Sequence, residues 1–216
     1  MTCYNPAMAD RNELRAALLD ERSRLTAVDV ARASSEVAQR AIGLPAVAGA
    51  TRVAAYRAVR GEVDCDVIMR WAHETGRRIY LPVTEAPRRM AFARWRPRDR
   101  LVKSRFGIDE PMPEARRVAP YRLDVVLVPL VAFDRRGNRL GHGAGYYDAA
   151  FAFRLHPRRT RPVLVGLAHA FQEVSHIDPR EWDVPLDFVV TERAVIDCLT
   201  SSTKRRAGKA APQTSA

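Results

Sequence analysis

The chain has 216 residues, enough for one well-packed domain, and its 47% hydrophobic content suits a soluble globule. Its longest apolar run, Val125 to Phe133, is far shorter than a membrane-spanning helix requires. Of the net charge of +11, four charges sit on Lys204, Arg205, Arg206 and Lys209 in a stretch without acids, and the rest is dispersed in arginine pairs. Such a balance suits polyanionic small ligands as well as nucleic acid, and no recognised nucleic-acid motif accompanies it.

Cys3, Cys65 and Cys198 are odd in number, widely spaced and without a Cys-x-x-Cys, so neither a disulfide framework nor a zinc site is indicated. No signal-peptide pattern opens the sequence, and a cytoplasmic location is expected. The expected organisation is a flexible extension over residues 1–9, one domain over 10–199, and a disordered basic tail over 200–216.

In chain order, Asp10-Arg11-Asn12-Glu13 has the spacing of a capping box, and Leu14, Leu18 and Leu25 suit one face of the helix that follows. Arg11, Arg15, Arg22 and Arg24 lie around that face, and by composition Arg11 and Arg15 read as a solvated basic surface. Thr26 starts a second helix that runs to about Ile42 and stops at Gly43 and Pro45. Residues 53–56 read as a strand, Cys65 to Glu74 as a helix with Asp64 as its N-cap, and residues 78–83 as a second strand. This β-α-β unit predicts a parallel pair and an α/β class. The loop Arg60-Gly61-Glu62-Val63-Asp64 then lies beyond a strand's carboxyl end, where ligands of open α/β sheets bind. Met90 to Trp95 suggests a strand near an edge, followed by a loop dense in Pro and Arg that contains Phe106.

A buried strand over Asp124–Pro129 leads into Asp134-Arg-Arg-Gly-Asn-Arg-Leu-Gly-His-Gly-Ala-Gly-Tyr-Tyr-Asp148, the chain's most informative stretch. Gly141, Gly143 and Gly145 alternate, so backbone N–H groups can converge on an anion just before a helix-compatible run at Tyr146. The stretch is neither a P-loop nor a dinucleotide fingerprint, since no Gly-Lys-Ser/Thr follows and Tyr146 stands where a third fingerprint glycine belongs. The glycines alone fit a phosphate turn and a plain glycine-rich hairpin equally. Arg139 and His142 can add positive charge, and Asp148 offers either a carboxylate for a phosphate-borne magnesium ion or an ordinary first-turn acid. Strands over 162–168 and 188–191 close the globule.

The string Asn-Arg-Leu-Gly-x-Gly-x-Gly-Tyr-Tyr-Asp resembles the signature of the 5-formyltetrahydrofolate cyclo-ligase family. Three further segments resemble that family in order: Glu62-Val63-Asp64, Gly107-Ile108-x-Glu110-Pro111 and Gly166-Leu167-Ala168 with Gln172. The resemblance spans about Arg11 to Thr191 and implies a three-layer α/β/α fold with a mostly parallel central sheet in a single domain. It implies ATP binding by Arg11 and Arg15 of the first helix and by Arg139, Leu140, Gly141, His142, Gly143, Ala144, Gly145, Tyr146 and Tyr147. Arg11 stands where lysine is usual, and the sequence departs from common family forms at His142 and Ala144. Glu62, Phe106 and Tyr146 are implied to contact the folate. Asp148 and Asp187 are implied to hold Mg2+, with Asp183 a nearby competitor for the second place.

The expected reaction is ATP- and magnesium-dependent closure of 5-formyltetrahydrofolate, which can carry a polyglutamate tail, to 5,10-methenyltetrahydrofolate. A monomer without membrane or nucleic-acid partners is expected. The rival readings are a nucleotide-binding relative without this activity and a basic nucleic-acid-binding protein.

Overall fold

In the computed structural model, residues 10–156 and 158–199 are described; the expectations for residues 1–9 and 200–216 concern stretches outside them. Helix α1 (Arg11–Ser23) is followed by α2 (Ala27–Gly43), the single turn α3 (Pro45–Ala48) and strand β1 (Arg52–Ala54). Helix α4 (Asp66–Glu74) leads to β2 (Arg78–Ala86) and β3 (Arg89–Trp95). A small two-stranded ribbon, β4 (Leu101–Lys103) and β5 (Asp109–Pro111), precedes β6 (Arg117–Val118) and β7 (Val125–Pro129). A second ribbon, β8 (Ala132–Phe133) and β9 (Arg139–Leu140), runs into α5 (Tyr146–Phe151), and the chain continues with β10 (Val163–Leu167), β11 (Phe188–Val190) and β12 (Val195–Asp197). None of the described helices is long and apolar enough to cross a membrane.

The central sheet has the order β12-β11-β10-β7-β1-β2-β3-β6. Its middle five strands are mutually parallel, and β3, β6 and β12 pair antiparallel at the two sides. Along β7, Val125 and Leu127 point into one apolar cluster, while Val126 and Val128 point into another. The period of two in side-chain direction is what lets one uniformly apolar strand serve two layers. The first cluster is covered by Val37, Ala38 and Ala41 of α2 and by Ile68, Met69 and Ala72 of α4. The second is covered by Phe151 of α5 and its neighbours, giving the expected three layers. Helix α1 packs separately through Leu14 and Leu18 against Val131, Ala132, Leu140 and Ile177.

The local signals were unequal guides. Thr26 and Asp29 form a reciprocal capping box, whereas Asp10 makes no side-chain cap and instead accepts from Asn12 Nδ2 at 3.3 Å. The N-cap of α4 is Cys65, one residue later than expected, and Asp64 accepts from Asp66 N at 2.7 Å. Strand β3 is not an edge, because β6 covers it.

What positions the site is the order of the parallel strands. From β1 the chain crosses to β2 on one side; from β7 it crosses to β10 and β11 on the other. Adjacent β1 and β7 therefore form the topological switch point, and the loops after their carboxyl ends diverge to leave a crevice. Those loops are residues 55–65, containing Glu62, and residues 130–145, containing the alternating glycines.

Candidate active site

The Asp134–Asp148 stretch divides into two parts with different duties. Its first half is the turn of the β8–β9 ribbon, where buried Asp134 accepts from Arg136 N at 2.9 Å, Asn138 N at 3.0 Å and Ile177 N at 3.1 Å. Gly137 sits at φ +83°, and a Cβ there would lie 2.4 Å from the Leu186 carbonyl oxygen, so only glycine fits. The second half is an open loop. Gly143 and Gly145 have φ of +102° and +70°, and the N–H groups of Gly141 to Gly145 donate to no acceptor among the described residues. Such a run of unpaired, solvent-facing donors is suited to a multiply charged anion. Helix α5 is only six residues long, so its dipole is a small part of the attraction and neighbouring cations must supply the rest.

Arg15 is one of these cations, its Nε donating to the Gly141 carbonyl at 2.8 Å. Burial, with Arg11 and Arg180 nearby, lowers its pKa. A Cβ on Gly145 would sit 3.9 Å from Arg88 Nε, which places the β2–β3 turn against the loop. Arg105 donates to the Tyr146 hydroxyl and lies over the Phe106 ring at 4.7 Å. Phe106, 52% exposed at the tip of the β4–β5 ribbon, meets Tyr146 edge to face at 5.9 Å. Ribbon and glycine loop thus share an aromatic wall. The two tyrosines part company here: Tyr147 stacks on Phe151 at 6.4 Å and packs against the core, and burial pushes its phenol pKa up.

Behind the loop lies a cluster centred on a residue to which the sequence assigned no role. Arg22 is 1% exposed. Its Nε donates to the Arg60 carbonyl at 3.0 Å, NH1 to the Leu130 carbonyl at 3.2 Å, and NH2 lies 3.0 Å from His142 Nε2 and 4.0 Å from Glu62 Oε1. It therefore bridges the loops that follow β1 and β7. Against the guanidinium, His142 Nε2 can only accept, which leaves the ring neutral with its proton on Nδ1. Burial, followed by Arg22, Arg60 and Arg15, lowers its pKa to about 4. Burial raises the Glu62 pKa, opposed by the Val59 N–H at 3.0 Å and by Arg22. Glu62 belongs to a tight turn closed by Glu62 N to Val59 O at 3.1 Å, with Arg60 and Gly61 both at positive φ. His169 completes the support by donating from Nε2 to the Gly61 carbonyl at 2.9 Å, while its own N–H donates to Gln172 Oε1 at 2.8 Å. Arg22 could have been recognised from the sequence: it falls on the Leu14-Leu18-Leu25 stripe, where a charge must be paired if it is buried.

Several expected site residues have other duties. Arg139 is not a free cation for phosphate; it is buried, donating to the Val184 carbonyl and, at 2.7 Å, to Asp148 Oδ1. Leu140 is buried in the α1 cluster and offers the loop no side chain. Arg11 is shared between Asp183 Oδ2 at 2.8 Å and the Asp178 carbonyl at 2.9 Å, so Asp183 is a partner of Arg11. Asp187 sits at the amino end of β11, where both oxygens accept from Arg154 at 2.6 and 2.7 Å and Oδ2 accepts from Leu164 N at 2.8 Å. Both oxygens of the expected second metal carboxylate are thus engaged by Arg154 and the backbone. Asp148 Oδ1 also accepts from Val184 N at 3.1 Å, while its Oδ2 has no protein donor in this network. Among the described residues no group of three or more His, Cys, Asp or Glu could hold a metal by itself. A cleft of about 600 Å³ lies beside β2 and the ribbon, lined by Thr84, Glu110 and Arg117. It does not include the glycine loop, and the chemistry described above favours the loop.

The 5-formyltetrahydrofolate cyclo-ligase family matches residues 7–192 of the chain. The chain belongs to this family. Among curated cyclo-ligases, that of Escherichia coli is 39% identical over 163 residues, covering 74% of this chain and 88% of the relative. That of Haemophilus influenzae is 32% identical over 179 residues, covering 82% and 94%. The solved 5,10-methenyltetrahydrofolate synthetase of Aquifex aeolicus superposes with a TM-score of 0.75 at 33% identity, covering 87% of this chain and 92% of that one. As a cyclo-ligase family member, the chain carries the family's string on the loop at the switch point.

Proposed function

We propose that the protein is an ATP-dependent 5-formyltetrahydrofolate cyclo-ligase, working as a cytoplasmic monomer. One observation carries the reading: the Gly141–Gly145 loop, whose N–H groups have no acceptor among the described residues, holds His142 Nε2 3.7 Å from the buried Glu62 carboxylate. One wall is suited to a polyphosphate and the other to a polar heterocycle, which is what a reaction between ATP and a folate requires.

In the proposed reaction the γ-phosphoryl group of ATP passes to the formyl oxygen of 5-formyltetrahydrofolate. N10 then attacks the activated carbon, its proton departs, and phosphate leaves with the former formyl oxygen, giving 5,10-methenyltetrahydrofolate and ADP. Phosphoryl transfer depends on positioning and charge neutralisation more than on a protein nucleophile. The glycine N–H groups, Arg15, Arg88 and Arg105 supply the neutralisation, and Phe106 with Tyr146 forms an apolar wall for the pterin. Glu62 accepts hydrogen bonds from the folate, kept ionised by Arg22 against the effect of its burial. Asp148 Oδ2 is the oxygen suited to Mg2+, which takes one or two carboxylates and fills its other places with phosphate oxygens and water. When bound, the ion would offset the charge of the polyphosphate. Arg139 then holds the Asp148 side chain in place. The test is isotopic: with 18O in the formyl group, the label should appear in inorganic phosphate. Label recovered in bulk water or retained in the folate product would overturn the proposed order of steps.

A further inference from the structure

We propose that Trp182 is the platform on which the adenine ring of the nucleotide stacks, an inference that rests on the ATP reading of the glycine loop. A tryptophan is costly to leave in water, yet Trp182 is 58% exposed. It is not on a loose segment. Arg180 to Asp183 form a turn closed by Asp183 N to Arg180 O at 3.0 Å and by Arg180 N to Asp183 Oδ2 at 3.0 Å. The same Asp183 Oδ2 accepts from Arg11 at 2.8 Å, which ties the turn to the start of α1. One residue further on, Val184 binds through its carbonyl to Arg139 and through its N–H to Asp148 Oδ1 at 3.1 Å. The turn that carries Trp182 is therefore fastened both to the first helix and to the support of the glycine loop.

The charges around the ring agree with this placement. Arg180 lies 5.6 Å over the Trp182 ring, and Asp183 of the same turn pairs with Arg11, one helical turn before Arg15, whose Nε binds the Gly141 carbonyl. A polyphosphate on the glycine loop thus has, on the α1 side, a row of Arg15 and Arg180 leading to an exposed indole. A nucleoside attached to that polyphosphate needs a π-face at the end of such a row, and stacking on an aromatic side chain is the usual way to hold a base without reading its edges. The arrangement predicts affinity for purine nucleotides with little discrimination between ATP and GTP.

The test compares ATP with inorganic tripolyphosphate, which keeps the charge and lacks the base, by calorimetric titration of the full chain and of Trp182→Ala and Trp182→Phe. Base stacking typically accounts for roughly a tenfold change in affinity. Trp182→Ala should weaken ATP about tenfold and leave tripolyphosphate unchanged, and Trp182→Phe should retain most of the ATP affinity. ATP binding to Trp182→Ala with wild-type affinity would overturn the platform while leaving the phosphate site in place. Equal loss for ATP and tripolyphosphate would also overturn it, since the residue would then act on the phosphates. Wild-type protein that binds neither compound would remove the ATP reading and the platform together.

Discussion

Replacing Arg22 by leucine should damage the protein in a way that identifies what Arg22 pairs with. The substitution keeps the apolar stem on the α1 stripe and removes the guanidinium. Leu130 O remains satisfied, because Gln172 Nε2 donates to it at 3.0 Å. The losses fall on Arg60 O, His142 Nε2 and the buried Glu62 carboxylate. Removing one partner from a buried charge pair typically costs about 3–5 kcal/mol, because the other charge is left uncompensated. For a chain of this size that corresponds to a fall of roughly 10 °C in melting temperature. Glu62→Gln alone should cost less, about 1–2 kcal/mol, and should chiefly impair folate-dependent turnover while leaving ATP binding nearly intact. The double variant Arg22→Leu/Glu62→Gln leaves no unpaired charge, so its destabilisation should be less than the sum of the singles by at least ~1 kcal/mol. Urea unfolding of the four proteins at pH 7 measures this coupling. Strictly additive losses would show that Arg22 and Glu62 do not act as a pair, and the account of the crevice would fail at its centre.

Gly145→Ala forces a Cβ onto a residue at φ +70°, costing about 1–2 kcal/mol, and should weaken tripolyphosphate binding, measured by calorimetry. For His142 the folded pKa of about 4 lies below the usual 6.5, so between those values the folded state binds fewer protons and acidification favours unfolding. The ring is about a third exposed, and after allowance for solvent screening the effect is on the order of 1–2 kcal/mol. His142→Gln should therefore lose less stability than wild type between pH 6.5 and 4, and parallel pH profiles in urea melts would contradict the assignment. Asp148→Asn should raise the magnesium concentration needed for half-maximal turnover. Asp187→Asn should leave that titration unchanged and instead lower stability, because Arg154 loses its carboxylate; a shifted titration would restore Asp187 as a metal ligand.

The parts of this protein that were legible in the sequence are those fixed by short-range chemistry. The uniformly apolar run at residues 125–128, the Thr26–Asp29 box and the β-α-β spacing around Asp66–Glu74 led to an α/β sheet, and strand adjacency at the switch point then placed Glu62 near the glycines. The two-residue strands β6, β8 and β9 escaped notice because so few residues show no periodicity. Contacts with distant partners were not legible, for one reason. Arg139 looks like a free cation until Val184 and Asp148 are brought beside it, and Asp187 looks like a free carboxylate until Arg154 arrives from 33 residues away. Arg22 was the opposite case, given no role although its position on an apolar stripe implied burial and therefore a partner.

The most direct measurement is the absorbance of the methenyltetrahydrofolate chromophore when purified protein is mixed with 5-formyltetrahydrofolate, magnesium and ATP. The account predicts that the chromophore grows with time, in proportion to enzyme, only when ATP is present, and that it is sharply reduced in Glu62→Gln. Folded wild-type protein that binds ATP yet produces no chromophore would contradict the claim that this crevice closes the folate ring.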